Sequence, residues 1–130
     1  MTEPRQQVQV VVVAWVADLV FGSRISATAA AMGVAVELVR SPDEFSASVE
    51  RLQPKLSIVD LTAIDSDDRG DWASVRSAAS DSVLIGFVPH VDTERAESAK
   101  LAGFDEVLPR SRFAASLPEL LGRFVGATGS

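Results

Sequence analysis

Five short apolar runs punctuate the chain, and polar segments with apolar residues at three- or four-residue spacing separate them. The first run, residues 8–16 (VQVVVVAWV), is β-branched and does not alternate strictly. That pattern suits a strand covered on both faces, as in a parallel sheet. Residues 34–39 (VAVELV), 56–61 (LSIVDL), 83–88 (VLIGFV) and 106–108 (EVL) read as four further strands.

The intervening segments read as helices. Phe21, Ile25, Ala29 and Met32 recur at about four-residue spacing, so the spacing predicts a helix over 19–32. Asp18 is placed to cap it and Gly33 to close it. Ser41-Pro42-Asp43-Glu44 joins an N-cap serine, a first-turn proline and a capping-box glutamate. The helix it opens runs to about Leu52, with Phe45, Val49 and Leu52 inward, and Pro54 stops it. Residues 71–79 form a short helix with Trp72, Val75 and Ala79 on one face. Asp92 caps another that runs to about residue 102, where Gly103 ends it. Ser116-Leu117-Pro118-Glu119 repeats the capping pattern and predicts that the last helix starts there, with Leu120, Leu121 and Phe124 as its stripe. Residues 1–7 and 126–130 read as loose ends.

Strand and helix thus alternate five times. Such alternation predicts an α/β fold with a five-stranded parallel sheet and helices on both faces. Right-handed crossovers leave few layouts, of which the flavodoxin-like order 2-1-3-4-5 is the common one. In it a site forms at the carboxyl ends of the strands, here at residues 14–18, 60–62, 88–90 and 109–111. No repeat or linker interrupts the 130 residues, so one domain is expected, with its core over about 8–125.

Composition narrows the chemistry. Apolar residues make up 47%, enough for one real core. The net charge of −6 and pI near 4.7 weigh against nucleic-acid binding, which needs surplus cations. With no cysteine and one histidine, thiol catalysis, disulfides and zinc sites are not expected. The dispersed glycines form neither GxGxxG nor GxxxxGK, so no dinucleotide or nucleoside triphosphate cofactor is expected. The apolar runs are too short to span a bilayer, and MTEPRQQ does not resemble a signal peptide. These points set the expectation of a cytoplasmic protein without membrane contact.

Three strings then carry a resemblance: SIVDLT at the third strand, VLIGFVPHVD at the fourth and AGFDEVLPRSRF at the fifth. With the layout, they resemble the receiver domain of bacterial response regulators over roughly residues 8–125. The resemblance implies an acceptor aspartate ending strand three, an acidic pair after strand one that holds Mg²⁺, a Ser or Thr ending strand four, and a Lys ending strand five. Asp60 matches the acceptor. The acidic-pair positions read Ala14 and Trp15, the Ser/Thr position reads Val88, and the Lys position reads Arg110, followed by Ser111 in place of proline.

Without the acidic pair, an aspartyl phosphate at Asp60 faces uncompensated negative charge, and Val88 has no hydrogen bond to donate. The resemblance therefore implies a stand-alone pseudo-receiver with no enzymatic activity, metal or cofactor. Asp60 is expected to pair with Arg110. Trp15, at the site mouth, is expected to fill the space a metal and its waters need, as core or lid packing, or else to contact a partner. Function is expected through contact with a partner protein or a second copy, across about residues 92–124, with Phe113 and Leu117 either as exposed anchors or as core.

Two rivals stay open. One is a genuine phospho-accepting receiver using Asp60, with Asp18 as a magnesium ligand from a shifted register. The other is a ligand binder or small enzyme with a crevice at Asp18, Asp60, His90 and Arg110. A triad drawn from Ser111, His90 and Asp60 or Asp92 is the least supported variant. The acidic loop with Asp65, Asp67, Asp68 and Asp71 lacks EF-hand spacing and reads as solvated.

Overall fold

The structure, a computed structural model, describes residues 11–63, 69–89 and 93–129, and the side chains of 11–63, 72–89 and 93–124. Strands β1 (Val11–Trp15), β2 (Ala35–Val39), β3 (Leu56–Asp60), β4 (Val83–Val88) and β5 (Glu106–Pro109) form one parallel sheet in the order 2-1-3-4-5. Helices α1 (Leu19–Ala31), α2 (Pro42–Leu52), α3 (Arg69–Ala78), α4 (Thr93–Leu101) and α5 (Arg110–Gly129) follow the strands in turn. A single 3₁₀ turn, Leu61–Ala63, leaves β3.

Two cores result, one on each sheet face. Phe21, Ile25 and Ala29 of α1 and Phe113, Leu117, Leu120 and Leu121 of α5 cover Val12, Ala14, Ile58, Ile85 and Phe87. On the other face α2, α3 and α4 bring Phe45, Val49, Trp72, Val75 and Ala99 onto Val13, Trp15, Val59, Leu84 and Val88. Alternation along each strand assigns the side chains to the two faces, and double coverage explains why the strands read as unbroken apolar runs. On the α1/α5 face, Phe87 stacks on Phe113 at 4.8 Å and meets Phe21 edge-on at 5.1 Å. Aromatic pairs in such geometries add about 0.5–1.5 kcal/mol each beyond area burial.

Local signals set the helix ends. Asp18 Oδ1 accepts from the amides of Val20 and Phe21. Ser41 Oγ accepts from the Glu44 amide, while Glu44 reaches back to the Arg40 amide. Gly33, at φ +76°, closes α1 as the Val34 amide donates to the Ala29 carbonyl. Gly103, at φ +111°, does the same for α4, and a Cβ there would stand 3.0 Å from the Arg76 side chain. Arg76 needs that space. Its guanidinium donates to the carbonyls of Ala79, Ser80, Ser82 and Gly103 and to Asp105, tying the end of α3 to the starts of β4 and β5.

Both bounds of the last helix depart from the sequence reading, since α5 also runs on to Gly129 through residues expected to form a loose end. Helix α5 starts at Arg110, directly after β5, and Pro118 lies inside it. Ser116 is therefore not an N-cap. Phe113 and Leu117, 0% and 4% exposed, continue the stripe of Leu120 and Leu121 onto the sheet. Burying them extends the helix through a residue that cannot donate to the Ala114 carbonyl. The two side chains are core, not exposed anchors. Asp92, Asp65, Asp67, Asp68 and residues 8–10 lie outside the described residues, and Asp71 outside the described side chains.

An interior proline costs a helix about 3 kcal/mol, partly offset by a stiffer unfolded chain. Pro118 is exposed. Pro118→Ala is therefore expected to stabilise the protein by about 2 kcal/mol in urea unfolding. A neutral or destabilising result would mean that α5 breaks at this point.

Candidate functional site

The carboxyl ends of the strands gather the residues singled out by sequence. Asp60 ends β3, and alternation after Leu56 and Ile58 turns it toward the α1/α5 face. It is 4% exposed. A buried carboxylate needs donors for its oxygens. Oδ1 accepts from the Thr62 amide at 3.0 Å and the Thr62 hydroxyl at 2.6 Å, and Oδ2 from the Ala17 amide at 3.3 Å. The Asp-x-Thr spacing was a readable cue, since aspartate commonly bonds the backbone two residues on. Only the fold could reveal Ala17, which lies 43 residues away.

Arg110 does not pair with Asp60. Its Nη2 is 2.7 Å from Asp18 Oδ2, and its guanidinium lies 4.2 Å above the Phe21 ring centre. Being the first residue of α5, it crosses to the start of α1. There it finds a half-exposed carboxylate and an aromatic face without entering the interior. Asp18 thus serves two ends, with one oxygen on the helix amides and the other on Arg110. The hydrogen bond from Arg110 holds its carboxyl below the ordinary value of 3.8, helped by the Phe21 and Val20 amides and opposed by desolvation.

Trp15 is core, as one of its expected roles has it, but both it and Val88 lie away from Asp60. Trp15 is 2% exposed, but its ring sits 5.7 Å from Phe45 on the α2 side of the sheet, the face opposite Asp60. It is core and fills no space beside Asp60. Val88 also faces the α2–α4 side, and the β4 residue in register with Asp60 is Phe87. Ala14 and Val16 share the face of Asp60. His90 lies outside the described residues. Ser111 opens α5 beside Arg110 and is exposed.

The donor set does not fit a magnesium ion. Residues 14–17 read Ala-Trp-Val-Ala, so none offers a carboxylate beside Asp60, whichever one faces it. Asp18 is engaged by Arg110 and the helix amides, and both Asp60 oxygens accept protein hydrogen bonds. The hard cation needs charged oxygen ligands, and on Asp60 the lone pair left on Oδ2 is all that these bonds still offer it.

The chain matches no family model and no curated protein. Several solved structures share its fold. A response regulator of Thermotoga maritima superposes with a TM-score of 0.74 at 13% identity, covering 92% of this chain and 99% of its own. A sensor histidine kinase receiver domain of Pseudomonas aeruginosa PAO1, with magnesium coordinated in its active-site cleft, gives 0.74 at 19% identity, with the same coverages. An orphan response regulator of H. pylori gives 0.68 at 16%, covering 89% and 93%. The chain has the receiver fold.

Two outcomes test this geometry. Asp18 titrates lower in the folded chain than in the unfolded one. Its contribution to stability is therefore complete above about pH 4 and fades as pH falls through the lower native value. Urea unfolding of the parent chain should lose more stability between pH 7 and pH 3 than that of Asp18→Asn, and equal losses would contradict the pairing. Asp60→Asn turns one acceptor into a donor facing an amide, and should cost about 1–2 kcal/mol. Stabilisation by this variant would instead indicate a carboxylate held against unrelieved repulsion.

Proposed function

We propose that this chain is a receiver-fold regulatory module that works by protein contact and without phosphorylation of Asp60. One observation carries the reading: the Asp60 carboxylate is closed by Thr62 and the Ala17 amide, with no second acid at residues 14–17. Attack on a phosphoryl donor needs a free carboxylate oxygen and cations to balance the incoming charge. Here Thr62 and the Ala17 amide take three of the carboxylate's acceptor positions, and residues 14–17 hold no acid that could bind a balancing cation. The module is accordingly non-enzymatic. Known structures with this fold include an atypical orphan response regulator described as regulating independently of phosphorylation, at 15% identity and a TM-score of 0.69.

Contact through α4, β5 and α5 fits the surface that remains. Phe113 and Leu117 are inside, so the anchors are Leu101, 66% exposed, and the exposed Arg112. The partner is a protein or a second copy of the chain; a receiver domain at 19% identity is known as a beryllofluoride-activated dimer. None of the helices is long and apolar enough to cross a membrane among the described residues, in keeping with work in the cytoplasm.

The test is an NMR titration of ¹⁵N-labelled protein with Mg²⁺ and then beryllofluoride, a mimic of the aspartyl phosphoryl group. No saturable shift is expected from either. Saturable shifts at the amides of Ala17, Asp60 and Thr62 would restore the phospho-accepting reading.

A further inference from the structure

A cleft of about 460 Å³ opens beside the Asp18–Arg110 pair, and nothing described so far uses it. Phe21 and Arg24 of α1, Pro89 after β4, and Arg110, Ser111 and Ala114 of α5 line it. That volume lies in the range of small-molecule sites, about 300–1,000 Å³. Its lining divides into an apolar part, Phe21, Pro89 and Ala114, and a polar part of two guanidinium groups and one hydroxyl.

The charge distribution is unusual for this chain. Acids outnumber Lys and Arg by 18 to 12, yet the described side chains lining the cleft include two arginines and no acid; Asp18, beside the cleft, balances Arg110, which leaves Arg24 as the uncompensated cation. Arg110 is already oriented, held by Asp18 at one edge and by Phe21 beneath its plane. Arg24 forms no ion pair among the described residues, so its fork is available. A guanidinium presents parallel N–H donors that match the two oxygens of a carboxylate or phosphate.

We propose that this cleft binds a small organic oxyanion, a carboxylate or phosphate monoester on a compact apolar body. Arg24 grips the anionic head, with Arg110 beside it and the Ser111 hydroxyl as a further donor. The body lies against Pro89 and Ala114. Occupancy would tie α1, the end of β4 and the start of α5 together, giving the module a chemical input that does not involve Asp60. The inference stands apart from the proposed protein contact, since binding is read on the chain alone.

The experiment is an NMR titration of the ¹⁵N-labelled full chain with phenyl phosphate and, separately, benzoate, at ionic strength fixed with sodium chloride. Saturable shifts confined to the amides of Phe21, Arg24, Arg110, Ser111 and Ala114 are expected from at least one probe, and the tighter probe identifies the head group. Arg24→Gln, at an exposed position, should weaken that binding about tenfold while leaving the rest of the spectrum in place. Shifts that grow linearly, or that sodium chloride alone reproduces, would overturn the proposal. So would saturable binding that Arg24→Gln leaves unchanged.

Discussion

The architecture depends on a sheet that must be covered on both faces. Val12, Val13, Ile58, Val59, Leu84 and Ile85 have no measurable exposure, so neither helical layer can be removed without baring a strand. Parallel strands then impose a geometric consequence: all five carboxyl ends emerge at the same edge. Asp18, Asp60, Pro89 and Arg110 meet there because the topology collects loop residues from four separate stretches of sequence.

At that edge the decisive quantity is the cost of desolvating charge. The edge holds one buried carboxylate, Asp60, and one half-exposed carboxylate, Asp18, and the arginine goes to the latter. Pairing Arg110 with Asp60 would bring a guanidinium into the interior, whereas Asp18 accepts it at the surface. Backbone amides and a hydroxyl satisfy Asp60 without moving any cation. Arg76 shows the same economy at the opposite end of the sheet. Its fan of donors meets backbone carbonyls at the end of α3 and at the starts of β4 and β5. In both places arginine works mainly as a tie between elements, and each tie ends on a surface acid or on backbone oxygen.

This arrangement changes what a receiver fold can do here. In a fold shared with a magnesium-binding receiver, the corresponding edge of this chain carries a closed carboxylate on one side and an arginine-lined cleft on the other. The aromatic group Phe21, Phe87 and Phe113 lies beneath both and gives them a rigid common floor.

Much of the fold was legible in the sequence because its signals are local. Apolar runs marked the five strands, and the alternation of strand and helix, with right-handed crossovers, left few strand orders, of which the common one is the one observed. Asp18, Ser41 and Gly33 marked their helix ends through bonds within a few residues of themselves. The start of α5 was misread because Ser116 and Pro118 carry a valid local cue that the burial of Phe113 and Leu117 overrides. The site was legible only in part. That Asp60 ends a strand, and that no acid stands at residues 14–17, follow from the sequence alone. Which face Trp15 and Val88 take, which acid Arg110 chooses and which amide reaches Asp60 were decided by the tertiary structure. Those outcomes depend on sheet register and on the relative burial of groups as far apart as residues 18 and 110, and no local pattern encodes either.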